Sequence, residues 1–94
     1  MRRSLMNDVM TFVTMTGEII GRLRDESPDA YTVENPRLFG QTEQGVGFVP
    51  GVCMTGKREP KTAVLNKAAV TCVVETDDQL IKAWQQQTTG LVLP

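Results

Sequence analysis

The chain has 94 residues and a formal net charge of −1, enough for one domain with a modest core. Near-neutrality supplies no whole-molecule field for nucleic acid or an anionic membrane, although it leaves room for a local basic site. Histidine is absent, which removes Ser/His/Asp and Cys/His triads and most zinc sites in one step.

The start, MRRSLMNDVM, carries two arginines, but Asn7 and Asp8 break the apolar stretch behind them, so it does not read as a signal peptide. Residues 1–8 read as a frayed terminus or one short helical turn. No apolar run approaches membrane-spanning length. From Val9 to Met15 the β-branched content predicts a strand, with Thr16-Gly17 as a hairpin turn in which Gly17 takes positive φ. Glu18 to Arg24 is the return strand. Its inward face is Ile19, Gly21 and Leu23, with Ile20, Arg22 and Arg24 opposite. A glycine in mid-strand weakens a flat sheet, so Gly21 marks a point of strong bending.

Asp25 to Asp29 is a polar turn with Pro28 fixing φ. Its acids find no partner for acid–base work and read as turn residues. Ala30 to Glu34 alternates as a strand, with Tyr31 and Val33 on one side. Asn35-Pro36 predicts an edge position or the end of ladder pairing. Residues 37–62 predict an additional or elongated hairpin, its tip at Gln41 to Gly45. Pro50-Gly51 is a turn, Val52-Cys53-Met54 a further extended piece, and Gly56 to Lys61 an exposed basic loop. Cys53 and Cys72 stand in strand-like contexts without C-x-x-C spacing. They read as two buried, reduced thiols of a cytosolic protein, a disulfide being the other option.

Val64 to Glu75 is the stretch the rest is organised around. Val64-Leu65 and Val70 to Val74 read as short strands joined by a very tight turn or bend at Asn66-Lys67, with Asn66 as a left-handed pivot. Two strands joined this closely can close a small barrel and leave Lys67 at the tip. Thr76-Asp77-Asp78-Gln79 then has the form of a capping box with Thr76 as N-cap. Leu80, Ile81 and Trp84 share one helical face, and Gly90 closes the helix. The expectation is a single domain over 1–94, with a barrel over 9–75 and a C-terminal helix over 76–90.

Two blocks resemble the Sm-like (LSm) fold. Val13 to Leu23, followed by Tyr31-Thr32-Val33, looks like the Sm1 motif, with the Gly17–Gly21 spacing one residue shorter than usual. Val64 to Glu75 is similar to Sm2, and its tail from Lys67 to Val74 is closest to the Hfq branch. The phrases Glu34-Asn35-Pro36-Arg37, Gly45-Val46-Gly47-Phe48 and Val74-Glu75-Thr76-Asp77 resemble the small Sm-like proteins of marine cyanobacterial phages. The resemblance implies a mainly β, small open barrel of five strongly bent antiparallel strands, with the hairpin insertion and a helix moved to the C-terminus. It also implies a homo-oligomeric ring sealed between Ala63-Leu65 of one copy and Val70–Val74 of the next.

By the same resemblance, RNA contacts would come from Asp29, Tyr31, Asn66 and Lys67. The usual Asn of the first motif is missing, and Asn66-Lys67, or Lys67-Ala68 in the alternative register, stands where relatives offer Arg-Gly or Lys-His. Each residue also has a plainer reading. Lys67 would be a solvated turn lysine, Tyr31 half-buried core with its hydroxyl at the surface, and Lys57, Arg58 and Lys61 a solvated charge run diluted by Glu59. The expected function is a ring that binds single-stranded RNA at its pore, in the cytoplasm of an infected bacterium if the chain is phage-encoded. The alternative is a structural ring with phage or host proteins as partners. No catalytic residue, metal, cofactor or membrane role is expected. Arg22, Arg24 and Lys67 clustered at the pore would favour nucleic acid; a neutral or acidic lining would favour the scaffold.

Overall fold

The computed structural model describes residues 5–49 and 51–89; the expected terminal glycine at 90 and the residue at 50 lie outside them. Six strands form one antiparallel open sheet: β1 (Val9–Thr14), β2 (Gly17–Glu26), β3 (Ala30–Thr42), β4 (Gly45–Val49), β5 (Thr62–Asn66) and β6 (Val70–Glu75). An α-helix, α1 (Asp78–Thr89), follows. The order is β4-β3-β2-β1-β6, with β5 also on β3. Five strands answer those expected, and β4 is the contribution of the insertion. β3 shares its outer edge between two partners, residues 30–34 with β5 and 38–42 with β4.

Bending comes from two breaks in the β2–β3 register. Ile20 faces Arg37 and Arg22 faces Glu34, so Asn35 and Pro36 together oppose Gly21. Extra residues in one strand bend it and increase its twist. A Cβ on Gly21 would stand 2.3 Å from Val33 Cγ1, 3.0 Å from the Glu34 carbonyl and 3.3 Å from Pro36 Cα. Only glycine fits that approach. A proline cannot donate to the ladder, and the bulge is where a sheet tolerates one. Asn35-Pro36 does end ladder pairing on one side, since the β5 ladder stops at Glu34 and the β4 ladder starts at Leu38, but β3 itself runs on through a kink with Asn35 at φ +50°. The second break leaves Arg24 unopposed between Leu23 and Asp25.

The bent sheet has apolar groups on both faces. Met10, Phe12, Ile19, Leu23 and Val33 form the core on one face, with Tyr31, Leu65, Val70 and Val73 packed around them. Val9 and Ile20 lie on the other side beneath Trp84, flanked by Phe39, Phe48, Leu80 and Ile81. Alternation assigned Ile20 to the outer face correctly, but that face is covered by α1. The Trp84 indole Nε1 donates to the Asn35 carbonyl at 2.9 Å, tying the helix to the kink.

Several local expectations need correction. The helix is capped by Asp77, whose Oδ2 accepts from the amides of Gln79 (3.0 Å) and Leu80 (3.3 Å). Thr76 is buried instead, with its hydroxyl 2.9 Å from that of Thr11. Asn66 is extended (φ −69°, ψ 126°), and its Oδ1 caps a three-residue 3-10 turn over Lys67–Ala69 by accepting from Ala68. The link between β5 and β6 is thus a capped 3-10 turn and needs no left-handed residue. Residues 51–61 carry no strand, so Val52-Cys53-Met54 is not an extended piece. Cys53 and Cys72 are unpaired but exposed, because Cys53 lies on that loop and Cys72 on the outer face of an edge strand. No helix among the described residues is long and apolar enough to cross a membrane.

Candidate functional site

The 3-10 turn sets Lys67 against the end of the β2–β3 hairpin. Its backbone amide donates to the Asp29 carbonyl at 2.8 Å, and Asn66 pairs with Ala30 in the β5–β3 ladder. Tyr31 stands beside Leu65 in the same ladder and opposite Glu26 on β2. Four residues named from two distant blocks of sequence therefore meet at one end of the sheet. Each is positioned by main-chain pairing, so the grouping follows from register rather than from side-chain choice.

The Lys67 ammonium lies 4.9 Å from the centre of the Tyr31 ring and 2.5 Å from Glu26 Oε2. Tyr31 in turn meets Phe12 with ring centres 5.5 Å apart, tilted by 52°. Tyr31 is thus half-buried and packed against the Phe12 core, which is the plainer of its two readings. Its outward role is to seat Lys67. Lys67 itself is no freely solvated lysine, since three groups hold it. Glu26 is the residue that sequence reasoning passed over. The signal was its place at the end of β2, directly opposite Tyr31 once the hairpin register is drawn.

Arg22 and Arg24 do not join Lys67. Both turn to Glu34, at 3.7 and 3.4 Å from their Nε atoms, and both donate to Asn7, at 2.6 Å to its carbonyl and 2.9 Å to its side chain. Arg22 also lies 5.5 Å from the Trp84 ring centre, on the helix side. The cation cluster that would have marked a strongly basic pore is therefore absent among the described residues. Glu26, whose carboxylate meets Lys67, is exposed, as are Asp25 beside it in β2 and Asp29 in the turn.

Magnitudes decide how far Glu26 disables Lys67. The two side chains are 27% and 45% exposed, and a surface pair of this kind contributes at most about 1 kcal/mol. A phosphate can displace such a partner at little cost. The site is a single cation per chain, pre-aimed by an aromatic ring and restrained by a weakly held carboxylate.

Comparison of the chain with protein-family models, with curated proteins and with solved structures returns no match.

Proposed function

We propose that the chain is a ring-forming Sm-like module that holds single-stranded nucleic acid, RNA in the first instance, at the Lys67 end of the sheet. The observation that carries this reading is the convergence of Asp29, Tyr31, Asn66 and Lys67 on one turn. Strand connectivity supports the Sm-like part: a bent sheet whose last two strands, linked by one 3-10 turn, pair with β3 and β1 rather than with each other. That arrangement leaves outer edges on β5 and β6, with Val64 and Val74 70% and 47% exposed. Unpaired edges recruit further strands, and head-to-tail pairing of β5 with a neighbour's β6 closes into a ring. A ring repeats Lys67 around its axis, and local potential rather than net charge governs phosphate binding.

A second reading rests on Glu26. With that carboxylate paired to Lys67, the turn presents no free positive charge as it stands, and the ring would serve as a scaffold for phage or host proteins. Titration of labelled U-rich and A-rich single strands at low and physiological salt separates the two. The nucleic-acid reading expects salt-sensitive binding that Lys67→Glu abolishes while light scattering reports an unchanged assembly. Absence of binding at low salt, or equal binding by Lys67→Glu, leaves the scaffold reading in its place.

A further inference from the structure

A second basic site lies away from Lys67, in a cleft of about 560 Å³ lined by Arg37, Phe48, Val49, Arg58, Glu59 and Gln87. Its volume falls within the roughly 300–1,000 Å³ typical of small-molecule sites. Three parts of the fold meet there: the β3–β4 hairpin, the 51–61 loop and the C-terminal half of α1.

Arg37 is the unusual member. It is 6% exposed, yet among the described residues it forms no ion pair. Its Nη1 donates to the carbonyls of Pro36 (2.8 Å) and Pro60 (3.2 Å), which fixes the guanidinium plane. Those bonds leave Nε and Nη2. No deeply buried side-chain nitrogen among the described residues lacks a partner, so these remaining donors reach accessible surface. Burial pulls the guanidinium below its ordinary pKa, and the charge of Glu59 offsets that only in part. A buried cation is costly unless it is paired, and among the described residues no carboxylate lies within 4 Å of this guanidinium.

The loop adds to the same field. Lys57, Arg58 and Lys61 stand in it against Glu59 as its one carboxylate. Glu59 lines the cleft without pairing to either arginine within 4 Å. One protein carboxylate therefore sits within reach and has not claimed Arg37, so a doubly charged ligand matches the excess better than a singly charged one. Two guanidiniums offer planar forks that suit phosphate oxygens. Recession of Arg37 further favours a terminal phosphate over an internal diester, which is flanked by chain on both sides. We infer that this cleft binds the terminal phosphate of a small phosphomonoester, held by Arg37 and Arg58 with Phe48 as its apolar wall. This site stands independently of the Lys67 reading.

The test is a nuclear magnetic resonance titration of the full chain at constant ionic strength. It follows the Arg37 side-chain Nε–H and the backbone amides of Lys57, Arg58, Glu59 and Lys61. The probes are inorganic phosphate, adenosine monophosphate, acetate, and a dinucleotide with a diester but no terminal phosphate. Phosphate and the monophosphate are expected to give saturable shifts at these positions, acetate and the dinucleotide markedly weaker ones. Tighter binding of the monophosphate than of inorganic phosphate is expected from the contact at Phe48; equal affinity would overturn the phosphomonoester assignment. Arg58→Gln removes an exposed side chain and should weaken binding roughly tenfold, the equivalent of one charge-assisted bond. Glu59→Gln should tighten it. No saturable shift in the wild type, acetate or dinucleotide binding as tightly as the monophosphate, or an unchanged Arg58→Gln would each overturn the assignment.

Discussion

Gly21 shows most plainly how one residue shapes the rest. Its missing side chain lets β3 approach, and the two-against-one bulge with Asn35 and Pro36 follows from that approach. An added methyl would meet a Val33 methyl and backbone on two sides, with no flexible chain end to yield except at Val33. Gly21→Ala is therefore expected to destabilise the fold by about 1–3 kcal/mol, the range for overpacking a filled core. Urea unfolding followed by Trp84 fluorescence measures it; an unchanged midpoint would mean that the bend does not depend on this contact. The sequence reading named Gly21 as a bend, because a mid-strand glycine is an anomaly visible in one dimension. It could not say that Asn35-Pro36 was the other half of the same bulge. Local chemistry alone says that a proline interrupts pairing, not that the strand continues through it.

At the scale of elements, the entry into α1 separates two roles that sequence ran together. Thr76 and Asp77 are both good caps on paper, and spacing alone favoured Thr76 with Gln79. The outcome turned on a residue far along the chain: Thr11 on β1 offers its hydroxyl to Thr76, which frees Asp77 for the cap. Asp77→Ala should cost about 1 kcal/mol and fray the first turn of the helix. Thr76→Ala should cost a similar amount, about 1 kcal/mol or more, by stranding a buried hydroxyl, without fraying. Amide hydrogen exchange at Leu80 and Ile81 tells them apart, rising locally only in Asp77→Ala. Faster exchange there in Thr76→Ala alone would restore the capping-box reading. The helix itself, its apolar face and the packing role of Trp84 were legible, since period and composition agree. The second core beneath it was not, because alternation says only that Ile20 faces away from Leu23, and nothing local says that a helix will cover it.

For the whole molecule, the decisive feature is that β5 and β6 are adjacent in sequence and on different neighbours in the sheet. Such a chain leaves two edges carrying exposed Val64, Cys72 and Val74. Light scattering at micromolar concentration is expected to return a fixed multiple of the subunit mass. Val74→Lys should lower it, because a charge on an edge strand opposes further pairing. A monomeric wild type would contradict the assembly. The candidate site was half legible. Asp29, Tyr31, Asn66 and Lys67 came from motif likeness, and register then brought them together. Glu26 and the paired state of Arg22 and Arg24 depended on which strands lie opposite, which one sequence does not reveal.

In the proposed function Lys67 is a nucleic-acid contact held in waiting by Glu26. The most direct measurement compares the affinity of wild type and Glu26→Gln for one short U-rich RNA at low salt, with the assembly state of each checked by light scattering. If the carboxylate competes with phosphate for Lys67, Glu26→Gln binds several-fold tighter, up to the roughly fivefold that a surface pair of about 1 kcal/mol allows. Equal affinity in the two proteins, or binding by neither, would contradict it.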